Sequence, residues 1–164
     1  MKEIPLTQGL FAQVDDKNYD WLMCYKWCAH KEGRVIYALG NIWDKELKKC
    51  KQIRMHRLIM NTPKNLEVDH IDHNGLNNQE HNMRNCSRRE NGANSRCMSD
   101  NLIGYKGVSK TLKGKNKGCI KAFININGKQ QHLGYFKNPI DAARAYNKAA
   151  KKEFGEYAYL NEVD

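Results

Sequence analysis

The chain has 164 residues, 40% of them hydrophobic and 28% charged, a balance that predicts one ordinary globular domain or two small ones. Its formal net charge of +10 and pI near 9.3 favour a polyanionic partner, because Lys and Arg that neutralise phosphates release counterions and bind without reading sequence. The amino terminus lacks an apolar signal core, no stretch approaches a bilayer span, and no basic amphipathic helix stands out, so an intracellular (cytoplasmic) protein with nucleic acid as partner, and no membrane, is expected.

In chain order, Leu10, Ala12 and Val14 alternate as a strand does, and Asp16 is placed to cap a short helix through Trp21, Leu22 and Tyr25. Val35 to Leu39 reads as a second strand, and Trp21, Trp27 and Trp43 as packing residues. Ile53 and Met55 alternate into a short helix at 56–60 that Thr62-Pro63 stops; His56 is read as structural. The six cysteines, 24, 28, 50, 86, 97 and 119, contain no Cys-x-x-Cys pair. Reduced thiols are therefore expected, and structural zinc is disfavoured.

Residues 66–97 carry the sharpest local signals. Leu66 to Ile71 is a short strand, Asp72-His73-Asn74-Gly75 a turn, and a polar loop runs through Asn77 and Asn78. Met83 to Cys86 returns as a second strand, and Ser87-Arg88-Arg89-Glu90 fits a capping box that opens a helix with Asn91 in its first turns. Neighbours on a regular strand point to opposite faces, so Asp69 and His70 converge only if the strand ends there, which the turn permits. A carboxylate, an imidazole and a carboxamide then supply a hard oxygen donor for a divalent ion, a base for water and a neutral second donor, which is the chemistry phosphodiester hydrolysis requires.

Val68-Asp69-His70-Ile71-Asp72-His73-Asn74-Gly75-Leu76-Asn77-Asn78, then Asn82-Met83-Arg84, then Arg88-Arg89-Glu90-Asn91, resembles the HNH (His-Asn-His) nucleases of phage and intron-encoded homing type. The resemblance implies a ββα-metal core in which His70 is the general base, Asp69 and Asn91 bind one divalent ion, and Asn82 orients the loop. Asn91 stands where many relatives carry the last His, which argues for Mg²⁺ or Mn²⁺ over zinc. Arg84, Arg88 and Arg89 are candidates for holding the phosphate backbone. His73 and His81 are alternative bases or accessory ligands. Relatives usually show Asp-Asn-Arg where this chain has Asn77-Asn78-Gln79, so a loop-stabilising ion pair is expected to be missing.

The segment 92–104 loses periodicity, which places a domain boundary near residue 100. Beyond it, 105–110, 120–126 and 130–136 read as three strands, the last two joined by the hairpin turn Asn127-Gly128. Asn138-Pro139 opens a helix whose apolar stripe is Ile140, Ala143, Tyr146 (or Ala145), Ala150 and Phe154. Between Asp100 and Asp141 lie eight lysines and no acid, including Lys106, Lys110, Lys113, Lys115, Lys117 and Lys121, the charge of a nucleic-acid-binding face. Tyr105-Lys106-Gly107-Val108, Lys121-Ala122-Phe123-Ile124, Leu133-Gly134-Tyr135-Phe136 and Ala142-Ala143-Arg144-Ala145-Tyr146 resemble the Apetala/ethylene-response-factor domain, whose sheet lies in the DNA major groove. Ile120 stands where that family has Trp, and Lys replaces its base-contacting Arg, which implies more backbone contact and looser readout.

The expectation is therefore an α+β protein: residues 1–100 an HNH nuclease domain with an amino-terminal scaffold and a core at 53–97, and residues 101–164 a three-stranded antiparallel sheet on one helix. It would cut double-stranded DNA with Mg²⁺ or Mn²⁺, nicking as a monomer. The rival is a non-catalytic DNA-binding regulator built on an inactive nuclease core.

Overall fold

Short strands and helices alternate along the polypeptide, and the computed structural model describes residues 1–44 and 48–163. They form two compact units, Met1–Arg88 and Arg89–Asp164. The mixed α+β class agrees with the sequence. The division falls upstream of the boundary expected near residue 100. Its cause is local: Lys106 Nζ donates to the carbonyls of Ala93 (2.6 Å) and Ser95 (2.7 Å), and Tyr159 N donates to Ala93 O, so the apparently featureless segment is stitched into the second unit.

In the first unit, β1 (Lys2–Pro5) and β2 (Phe11–Val14) form an antiparallel pair that places Ile4 opposite Ala12. Helix α1 (Asp16–Leu22) comes next. The side-chain cap expected from Asp16 is not made: Asp16 is the first helical residue, and Asp15, at the N-cap position, makes no side-chain cap bond, its carboxylate accepting from Glu80 N at 2.8 Å. The strands β3 (Trp27–Glu32), β4 (Val35–Asp44) and β5 (Lys49–Arg54) make an antiparallel sheet that leads into the short helix α2 (Met55–Ile59). Ile4, Ala12, Val14, Leu22, Trp27, Ala38 and Met55 form the core between these elements. Gly40 is required there, since a Cβ would lie 2.8 Å from the Trp27 ring. Trp27 packs as expected, whereas Trp43, 61% exposed near the end of β4, does not.

Two further strands, β6 (Glu67–His70) and β7 (Asn77–Asn78), succeed α2, and β8 (Met83–Cys86) pairs antiparallel with β6. The polar stretch Asn77–Asn78, read from sequence as loop, is a strand paired in parallel with β2, Val14 opposite Asn78. Helix α3 (Arg88–Asn94) begins at the junction of the units, where the sequence places it.

In the second unit, β9 (Val108–Lys110), β10 (Ile120–Ile126) and β11 (Lys129–Phe136) form an antiparallel sheet with β10 central. The first strand starts later than expected because the chain turns through Gly104 and Gly107, both at positive φ. Asn127 (φ 51°) and Gly128 (φ 75°) make the hairpin turn, with both central residues left-handed as a type I′ turn demands. Helix α4 (Pro139–Phe154) starts with the Asn138 side chain accepting from Ile140 N at 2.9 Å. It buries Ala142, Ala143, Tyr146 and Ala150, and Val108, Ile120, Ala122 and Ile124 complete the sheet's side of the core. Among the described residues no helix is long and apolar enough to cross a membrane.

Candidate active site and basic surface

Pairing of β6 with β8 sets Asp69 opposite Arg84 and His70 opposite Met83. The β6 strand ends at His70 because the next residues turn: His73 adopts φ 62° and its amide bonds back to His70 O at 3.0 Å, while Asp72 Oδ1 accepts from Asn74 N. Gly75 is needed for space and not for positive φ. A Cβ there would meet Ile36 O at 2.5 Å, so the turn is pressed against β4.

Asn82 holds this turn from inside. Its Oδ1 accepts from Asp72 N (3.1 Å), its Nδ2 donates to Asp72 Oδ1 and Asn77 O (2.9 Å each), and its backbone O accepts from Ile71 N (2.9 Å). One carboxamide thus directs both its donors and its acceptor at one loop. Burial pushes the Asp72 carboxyl up, but hydrogen bonds from Asn74 N, Asn77 and Asn82 outweigh it and hold the group below its usual range. Asn77 Nδ2 adds a further bond to the same carboxylate, at 2.8 Å from Asp72 Oδ2.

Asp69 and His70 are both buried, 4% and 6% exposed. Arg84 engages Asp69 Oδ2 through Nε at 2.9 Å and Nη2 at 2.8 Å, so the guanidinium expected to hold DNA phosphate is paired with the carboxylate in this structure. The imidazole of His70 faces two rings, His56 at 5.1 Å and 87° and Tyr37 at 5.9 Å. Burial lowers the pKa of His70, with Asn78, Asp72 and Asp69 pulling the other way. A neutral imidazole can accept a proton at neutral pH. Burial, reinforced by His70, Arg54 and Arg57, pushes His56 down to about 3.

Asn78 and His56 carry more of the site than sequence reasoning assigned. Asn78 is fully buried, and its Nδ2 donates to Leu76 O at 3.2 Å. An asparagine inside a run of polar residues reads as solvent-facing, and only its pairing with β2 hides it. His56 was legible only as a helix residue. Asn91 lies on α3 in the second unit, which also holds Arg89 and the lysine candidates, while Arg88 is the last residue of the first.

These basic candidates separate into two groups. Arg89 is ion-paired with Glu153 and lies 5.4 Å from the Phe154 ring. Lys106 is a structural residue where the sequence suggested a DNA contact: besides the Ala93 and Ser95 carbonyls its Nζ reaches Ser95 Oγ (3.2 Å), and its backbone is clamped by the side chain of Asn161. Burial draws the ammonium towards about 8, while the three oxygen acceptors favour keeping its proton. The charge also sits at the carboxy-terminal end of α3, where orphan carbonyls need donors. Lys106→Met is expected to destabilise the protein by about 1–3 kcal/mol, because it removes the charged hydrogen bonds to Ala93 O, Ser95 O and Ser95 Oγ, read by denaturant unfolding. An unfolding midpoint unchanged from wild type would refute this role.

Arg88, Lys110, Lys113, Lys115 and Lys117 form the other group; the last three lie on the loop between β9 and β10. Lys121 donates to Gln130 Oε1 at 2.8 Å and lies 5.3 Å from the Phe123 ring. No acid lies in the sequence between Asp100 and Asp141, a stretch that holds all of these lysines.

The chain is 31% identical over 164 residues to an HNH endonuclease of Acanthamoeba polyphaga mimivirus, itself uncharacterized, covering 96% of this chain and 78% of that protein. No family model matches the chain, and no solved structure does. Near-complete coverage at this identity, together with a buried Asp69-His70 pair at the end of a strand whose following turn Asn82 ties, makes the conclusion direct: the chain belongs to the HNH endonucleases.

Proposed function

We propose that the chain is a metal-dependent endonuclease that hydrolyses phosphodiester bonds of double-stranded DNA, nicking one strand as a monomer and leaving 5′-phosphate and 3′-hydroxyl ends. The observation that carries this reading is His70, a buried imidazole kept neutral beside a buried carboxylate. His70 would take the proton of the attacking water, and Asp69 would bind a divalent ion. The donor chemistry fits: Asp69 offers hard oxygen, and Mg²⁺ is commonly held by one or two carboxylates with phosphate and water supplying the rest. A bound Mg²⁺ or Mn²⁺ would polarise the phosphate and stabilise the leaving 3′-oxygen. Family resemblance assigns a further ligand to Asn91, a separate proposal that Asn91→Ala tests through the Mg²⁺ concentration needed for cleavage.

Binding would come from the lysine-rich sheet of the second unit, read as an Apetala/ethylene-response-factor-like domain. Holding duplex there raises the effective concentration of DNA at a nuclease core that itself reads few base pairs. Neutralising Lys115, Lys117 and Lys121 together is expected to weaken DNA binding and to flatten its dependence on log salt by about 0.9 for each phosphate no longer neutralised. An unchanged slope would remove this face from the interface.

The deciding experiment is conversion of supercoiled plasmid and host genomic DNA to nicked or linear forms in Mg²⁺ or Mn²⁺ against EDTA. Metal-dependent nicking supports the reading. Folded protein that binds DNA but cuts neither substrate overturns it in favour of a non-catalytic regulator.

A further inference from the structure

Several features of the first unit converge on one side chain that the proposed chemistry does not use. His56 is 5% exposed on α2, and its ring meets His70 edge-on at 5.1 Å and Tyr37 at 5.2 Å. Tyr37 in turn lies 5.9 Å from His70, so the three rings touch pairwise. Nδ1 of His56 is buried with no hydrogen-bond partner among the described residues. With Nδ1 making no bond, the contact His56 presents to His70 is that of a flat ring.

The helix that carries it is held from several sides. Arg57 donates to the carbonyls of Leu66 (2.9 Å), Thr62 (3.4 Å) and Pro63 (2.9 Å), fixing α2 to the start of β6. Asn85 Nδ2 donates to Met60 O at 3.2 Å, tying β8 to the end of α2. On the opposite side the Gly75 turn is wedged against Ile36 and Tyr37, so β4 is seated under the loop after His70.

From this geometry we infer that His56 and Tyr37 are positioning residues for His70: their rings form a rigid cradle that fixes the imidazole plane and keeps bulk water from its buried side. The inference rests on His70 being the base of the nuclease reading. A base must approach water with defined direction, and small losses of alignment are costly: a displacement near 1 Å can lower a rate about a hundredfold. Neither residue exchanges a proton with substrate, so their contribution is to turnover and not to DNA affinity.

The test compares His56→Ala, His56→Phe and Tyr37→Phe in the full chain, with unfolding followed by circular dichroism. On supercoiled plasmid in Mg²⁺ or Mn²⁺, His56→Ala is expected to lower kcat by about 10- to 100-fold, the scale of a misaligned catalytic group, with KM unchanged. His56→Phe and Tyr37→Phe, which keep the rings, are expected to retain most of the wild-type rate. If folded His56→Ala cleaves at the wild-type rate, or if His56→Phe folds and is as slow as His56→Ala, the ring cradle is wrong. The His70 ring-proton resonances give a readout independent of cleavage: removing an edge-on aromatic ring should shift them in His56→Ala. Unshifted resonances overturn the cradle. Wild-type protein that cuts no DNA overturns the nuclease reading instead, and shifted His70 resonances would then leave the cradle standing as a feature of the fold.

Discussion

His70→Ala is expected to lower metal-dependent DNA cleavage by about 10²- to 10⁴-fold, the usual contribution of a positioned general base, with DNA affinity near wild type. The expectation rests on three facts about the side chain. His70 is 6% exposed, so it contributes little to a binding surface, and its removal leaves the exposed lysines untouched. Burial is the main cause of its lowered pKa, which keeps it neutral and able to accept a proton at pH 7. It also follows Asp69 directly at the end of β6, so the proposed base and the proposed hard oxygen donor are consecutive residues. The measurement is single-turnover cleavage of plasmid by wild type and variant, beside a binding isotherm for each. A variant that binds and cuts like wild type removes His70 as the base. In that event His73, in the turn, and His81 become the residues to replace.

The largest expected effect on stability is at Gly107. Its φ of +72° lies in the left-handed region, and a Cβ would collide with the Tyr146 ring and come within 2.5 Å of Phe123 O. Neither neighbour can retreat. The amide of Phe123 is bonded to Gly107 O at 2.8 Å, and Tyr146 is 3% exposed in the core between α4 and β10, its phenol pushed up to about 12 by burial. Gly107→Ala therefore adds left-handed backbone strain to overpacking, roughly 3–5 kcal/mol together. Gly114 is the control. It has a similar φ of +80° but nothing within 4 Å, so Gly114→Ala should cost only the backbone term, about 1–2 kcal/mol. Urea unfolding separates the cases. Equal losses from the two substitutions would show that the space behind Gly107 does not matter.

Elements whose signal is local were legible in the sequence. Apolar alternation marked β2, the Asn127-Gly128 pair marked the hairpin turn between β10 and β11, and Asn138 with Pro139 marked the start of α4. Each depends on interactions within a few residues, which is where propensity and turn chemistry act. The features that escaped depend on partners far away in the chain. Asn77 and Asn78 have no strand propensity and are extended because β2 offers an edge. Lys106 resembles any other lysine of a basic segment until the Ala93 and Ser95 carbonyls are seen around it. His56 and His70 are separated by a helix, a turn and most of a strand, and no periodicity links their rings. Arg84 faces Asp69 through strand register, which pattern alone leaves undetermined until both strand ends are fixed.

The parallel pairing of β7 with the amino-terminal hairpin bears on how such a nuclease can be cut and recombined. Gln13 N donates to Leu76 O at 2.8 Å, Asp15 accepts from Glu80 N, and Lys17 and Asn18 grip the two Glu80 carboxylate oxygens at 2.7 and 2.9 Å. These bonds join positions some sixty residues apart in sequence (62 and 63 for the two Glu80 pairs), and they hold the very loop that Asn82 organises behind His70. The strand-loop-strand motif by itself is consequently not a portable cassette. A graft that transfers residues 53–97 onto another scaffold would carry the candidate catalytic side chains but leave Asn77–Asn78 as a bare edge, so a working transplant has to bring the amino-terminal segment through Asn18 or a surrogate for the strand it provides.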